Sequence, residues 1–147
     1  MGLKPFSPSS SIDLSTEASL NKKIKKVFLI YPPTGVYMRD DRCQAPVEGM
    51  TAQPNRAPLD LAYMAAMLEK LEITCRIEDY AAKKSPWDDL EKDLRRFKPD
   101  LLLVSVTTPT IQQDLAACRI AKKIDPEILT VAKGAHFTSK DDEVLLQ

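Results

Sequence analysis

In the segment Ile73-Thr74-Cys75-Arg76-Ile77-Glu78-Asp79, residues 73–78 alternate apolar and polar side chains. In a chain of period two, Ile73, Cys75 and Ile77 share one face while Thr74, Arg76 and Glu78 share the other. That is the pattern of a strand at a sheet edge. Two further segments read differently. Residues 24–31, ending Phe28-Leu29-Ile30-Tyr31, and residues 100–106, with Leu101-Leu102-Leu103-Val104 inside them, are apolar throughout their centres. Continuous apolar runs are what central strands need when both faces are covered. Residues 128–133 form a fourth strand.

Helical segments separate these strands. Residues 58–71 carry Leu61, Met64, Ala65, Leu68 and Leu71 at helical spacing, with Pro58 suited to the first position. Residues 86–97 place Trp87, Leu90, Leu94 and Phe97 on one stripe. Ser85 is the expected N-cap, with Asp88 and Asp89 at the positive end and Arg95 and Arg96 at the negative end. A third helix follows Thr107 or Thr108 as cap, with Pro109 near its start. It carries Ile111, Leu115, Cys118, Ala121 and Ile124 and ends near Asp125-Pro126. A fourth is expected to begin after Ser139.

Strands alternating with helices imply a parallel sheet covered on both faces by right-handed crossovers. The order 3-2-1-4 would bury the alternating strand. The order 2-1-3-4 leaves it at the edge, so the expected class is α/β, a flavodoxin-like (Rossmann-like) three-layer fold. Its switch point lies between strands one and three, and a ligand is expected beyond the C-terminal ends of strands one, three and four.

Composition sets the class of function. The 147 residues suit one domain, 44% hydrophobic and 29% charged. Residues 1–22 read as a loosely ordered tail and 23–147 as the domain, incomplete at its C-terminus because no fifth strand follows. Twenty-one basic and twenty-one acidic residues cancel, which argues against a sequence-independent nucleic-acid binder and against attraction to an anionic membrane. No apolar run approaches the roughly 20 residues of a membrane span. Cys43, Cys75 and Cys118 lack metal-ligand spacing, and His136 is the single histidine, so no metal site is expected in this chain. The cysteines read as small buried hydrophobes in a reducing cytoplasmic setting.

Three loops face the switch point. Residues 32–57 exceed the roughly 12–15 residues of an ordinary loop. They read as a ligand-facing flap, as a surface insertion, or as a surface that docks on another domain. The segment Ser105-Val106-Thr107-Thr108-Pro109 brings three hydroxyls to a helix start, where N–H groups favour a phosphate; plain capping is the alternative. In Lys133-Gly134-Ala135-His136, Gly134 offers close backbone approach, or simply ends the strand. There is no GxGxxG after strand one and no Walker A loop, and Ser105 stands where a phosphoacceptor aspartate would be. Asp79, at the end of strand two, is a weak match to a ribose-binding acid.

Four segments together resemble one family. Pro58-Leu59-Asp60-Leu61-Ala62-Tyr63-Met64-Ala65-Ala66-Met67-Leu68 resembles the "PPLGLAYLAAYL" helix of the N-terminal cobalamin (vitamin B12)-binding domain of radical S-adenosylmethionine enzymes. Tyr31-Pro32-Pro33 is similar to that family's "YPP", Ser105-Val106-Thr107-Thr108-Pro109-Thr110 to its "SVTTPT", and Lys133-Gly134-Ala135-His136-Phe137-Thr138 to its "GGPHAT". The likeness covers residues 24–147, in order and spacing. It implies cobalamin held at the switch point, with Ser105, Thr107 and Thr108 along the nucleotide tail, Gly134 allowing close approach, and Pro33 and His136 as further cofactor-binding residues. Lys133 departs from the family by replacing the first glycine of the pair.

The resemblance also implies what lies elsewhere. The DxHxxG motif is absent, so no histidine of this chain is expected as a lower cobalt ligand. The CxxxCxxC motif is absent too, which assigns the iron–sulfur cluster and S-adenosylmethionine to a downstream catalytic domain, the expected partner. The chain is then not catalytic alone and is expected to be a piece of a longer enzyme of methyl transfer or ring formation. The rival expectation is a degenerate docking domain that binds no cofactor; a small nucleotide- or flavin-binding domain is a third.

Overall fold

The computed structural model describes residues 24–35, 57–134 and 137. Within them lie four strands: β1 (Lys26–Tyr31), β2 (Thr74–Asp79), β3 (Leu101–Ser105) and β4 (Leu129–Lys133). All pair in parallel, in the order β2-β1-β3-β4. The alternating strand is at an edge, as its pattern requires. The helices are α1 (Leu59–Glu69), α2 (Tyr80–Lys83), α3 (Trp87–Phe97), α4 (Ile111–Asp114) and α5 (Ala116–Ile124), with a 3₁₀ turn at Thr108–Thr110.

The two sheet faces carry separate cores. On one, Val27, Leu29 and Tyr31 of β1 pack with Leu61 and Ala65 of α1. On the other, Phe28 and Ile30 of β1 and Leu102 and Val104 of β3 pack with Leu90 and Leu94 of α3 and Ala117 and Ala121 of α5. Alternate residues of a central strand thus feed opposite layers, which is why β1 and β3 are apolar along their centres. Each fully buried Leu, Ile or Phe contributes about 1.5–3 kcal/mol relative to exposure.

The polar side of β2 is not left to solvent. Arg76 pairs with Asp93 of α3 at 2.8 Å and lies 5.2 Å from the Phe28 ring centre, while the Tyr80 hydroxyl donates to Asp93 at 2.9 Å. Burial, with the Asp93 hydrogen bond second, pushes the Tyr80 hydroxyl pKa far up, so it stays protonated. At the opposite end of the sheet, the Asp100 carboxylate accepts the N–H groups of Lys25 and Lys26 at 2.9 and 3.0 Å and fixes the start of β1.

Three local expectations are corrected. Pro86, not Ser85, is the N-cap of α3, and no side chain caps it. The helix expected after Thr107 is broken into a 3₁₀ turn, α4 and α5, with Leu115 between the last two. Leu71 falls outside α1 and is exposed, as are Leu59, Tyr63 and Met67, so α1 is apolar on a second face as well as on its buried one. The helix expected after Ser139 lies outside the described residues.

Candidate functional site

The C-terminal ends of β1, β3 and β4 meet in one transverse row. Ile30 is level with Val104, and Ser105 with Lys133, so Tyr31, Ser105 and Lys133 follow one another across the sheet. The reversal of strand order falls between β1 and β3, so the crevice above this row is the ligand position of an open α/β sheet.

Two loops flank the crevice and are tied together by one carboxylate. Asp114, at the end of α4, is 1% exposed. It accepts hydrogen bonds from the Thr34 hydroxyl at 2.5 Å, the Thr107 N–H at 2.9 Å and the Thr110 hydroxyl at 2.7 Å. The Thr107 and Thr110 hydroxyls are themselves 2.6 Å apart. Burial raises the Asp114 pKa above its ordinary 3.8, although the three hydrogen bonds pull it the other way. No local pattern marks this residue, because Thr34 comes from the loop after β1 and Thr107 and Thr110 from the segment after β3.

The predicted site residues occupy different layers of this arrangement. Ser105 is buried at the end of β3. Thr107 is half-buried and engaged with Asp114 and Thr110, while Thr108 is exposed on the 3₁₀ turn. Pro33 is half-buried at the rim, beside Thr34. A recess lined by Tyr31, Pro32, Thr34, Ser105, Thr107 and Asp114 joins these parts. His136 lies outside the described residues, as does Cys43 and most of the long loop after β1.

Gly134 is needed for a reason internal to the fold. A Cβ there would overlap the carbonyl oxygen of Val106. The Val106 N–H also donates to the Lys133 carbonyl at 2.8 Å. The close approach that requires glycine is therefore made by the backbone that follows β3.

A second polar group closes the α1 side of the crevice. The Lys133 ammonium donates to the carboxylate of Asp60, in the first turn of α1, and the Tyr31 hydroxyl lies 3.0 Å from both oxygens of that carboxylate. Burial pushes the Asp60 pKa up, but the Lys133 hydrogen bond and charge, with the Leu61 N–H and Tyr31 hydroxyl, outweigh it and hold the carboxyl below its ordinary 3.8.

Among the described residues no group of three His, Cys, Asp or Glu side chains is placed to hold a metal ion. Cys75 and Cys118 are free, partly buried thiols, and burial raises both pKa values. No helix among the described residues is long and apolar enough to cross a membrane. A groove of about 420 Å³ between Leu94, Lys98, Ile124 and Ile128 lies at the N-terminal end of the sheet, away from the switch point.

Comparison with known proteins agrees with this architecture. A relative from Pyrococcus horikoshii, described as the uncharacterized methyltransferase PH0819, is 30% identical over 116 residues. The aligned part is 79% of this chain but 23% of the relative, so the chain spans less than a quarter of that protein's length. No solved structure matches the chain. The family model for the B12 binding domain matches residues 50–147, which include α1, β2, β3, β4 and the loops after the last two strands. The chain therefore belongs to the B12-binding domain family.

Proposed function

We propose that this chain is the cobalamin-binding module of a larger methyl-transferring enzyme and carries no catalytic residue of its own. The observation that carries the reading is the B12-binding match over residues 50–147, laid on a sheet whose switch point gathers Tyr31, Ser105, Thr107 and Lys133. The groups at this crevice fit a nucleotide tail in kind: hydroxyls at Ser105, Thr107 and Thr108 can meet its polar atoms, and Thr108 is open to solvent. Bound cobalamin supplies a cobalt centre that can carry a methyl group.

The chain's own residues bind and orient. Asp114 holds the loops after β1 and β3 at a fixed distance, so Thr107 is presented on a rigid turn. His136 is the single histidine, so the loop after β1 would offer no histidine to a bound cobalamin, whose tail Ser105, Thr107 and Thr108 would hold.

The finer assignment is to radical S-adenosylmethionine enzymes. It is supported by the four-segment motif likeness and by the methyltransferase name of the relative. In that reading a downstream domain, the partner of this one, holds the iron–sulfur cluster and S-adenosylmethionine, and the whole works in the cytoplasm. The neutral charge balance supports neither a nucleic-acid nor a membrane partner.

Thr108→Trp tests the site. The residue is exposed, so the variant should still fold, which thermal unfolding checks. Retention of hydroxocobalamin should be lost. Undiminished binding in this variant would remove the loop after β3 from the site.

A further inference from the structure

We propose that the Lys133–Asp60 ion pair is a clasp that closes the switch-point crevice on its α1 side and holds down this chain's affinity for the cobalamin tail. The proposal rests on the cofactor reading above and deepens it.

The clasp spans the crevice. Lys133 ends β4, and Asp60 lies in the first turn of α1, which packs over β1 and β2. Between β4 and β1 lie two strand spacings, about 10 Å, and β3 runs between them. The Lys133 side chain bridges this distance together with Tyr31, which reaches the same carboxylate from β1. Ser105 stands between Tyr31 and Lys133 in the row and is 5% exposed.

The pair is half-sheltered, with side-chain exposures of 28% for Lys133 and 36% for Asp60. It is therefore screened less than a surface pair. Tyr31, Asp60 and Lys133, from three elements, join in one group in which the Asp60 carboxylate accepts from both of the others. A cobalamin tail carries a phosphodiester. Entering on this side, its negative charge meets the Asp60 carboxylate, and it must part Lys133 from that carboxylate. An anion-binding role for Lys133 would be better served by an ammonium without a carboxylate already on it.

Equilibrium dialysis of the full chain against hydroxocobalamin tests the clasp. Lys133→Gly combined with Asp60→Asn, which opens the clasp and leaves no unpaired carboxylate facing the phosphodiester, should lower Kd about tenfold. Asp60→Asn alone, which keeps the side-chain shape, should lower it in the same direction. If the double variant fails to fold, Lys133→Ala with Asp60→Asn serves in its place. Equal or weaker binding by the double variant than by the unaltered chain overturns the clasp and leaves the cofactor reading standing; weaker binding would make Lys133 an anchor for the phosphate. Absence of saturable binding in the unaltered chain and in every variant overturns both.

Discussion

The Asp114 carboxylate accepts a 2.5 Å hydrogen bond from Thr34, a residue 80 positions earlier in the chain. One buried acid thus joins the loop after β1 to the loop after β3 across the switch point. The spacing of the two walls of the candidate site depends on it.

Replacing Asp114 by Ala leaves the Thr107 N–H and two threonine hydroxyls without their acceptor. The expected cost is about 1–3 kcal/mol, read from urea unfolding at neutral pH. The sign with pH is distinctive. Because the folded pKa of Asp114 is raised above 3.8, the fold favours the protonated acid. The favourable contribution of Asp114 is full below the unfolded value and is lost as pH rises through the folded value. The stability gap between the unaltered chain and Asp114→Asn should move in that sense. A gap that shrinks on acidification would contradict the assignment.

Asp60 should behave in the opposite way. Its folded pKa is depressed, so its contribution is present above 3.8 and fades as pH falls from there through the folded value. Asp60→Asn should flatten that part of the acid unfolding curve, because Lys133 then faces no charge that titrates. The two carboxylates can be told apart by their windows, one above the ordinary value and one below it.

Gly134→Ala should destabilise the domain by about 1–3 kcal/mol, because the Cβ meets the Val106 carbonyl, a backbone group that cannot rotate away. Thermal unfolding without any ligand is the check. A neutral effect in the free protein, with a defect only in cofactor binding, would mean that the glycine serves the ligand and not the fold.

Much of this architecture was legible in side-chain period alone. The alternation of residues 73–78 put β2 at the edge, and the unbroken runs at Phe28-Leu29-Ile30 and Leu101-Leu102-Leu103 put β1 and β3 at the centre. Local signals also held for α3, whose stripe of Leu90 and Leu94 is buried with Trp87 and Phe97 packed beside it. The site was less legible because it is made of distant pairs. Nothing near Asp60 announces Lys133, 73 positions later, and nothing near Asp114 announces Thr34. Asp79 illustrates a smaller loss: it accepts the Ala82 N–H at 2.9 Å and caps the short helix α2, a role the reading of the strand end did not include. That cap was available in principle, since an aspartate ahead of Tyr80-Ala81-Ala82 is a helix-start signal.

Cobalamin binding at the switch point is tested by an equilibrium titration with hydroxocobalamin followed by its absorbance spectrum. Saturable one-to-one binding is expected, with the base-off spectrum of a cobalt that receives no lower ligand from this chain. No saturable binding, by the chain as it stands and with Lys133→Gly and Asp60→Asn combined, would contradict the account.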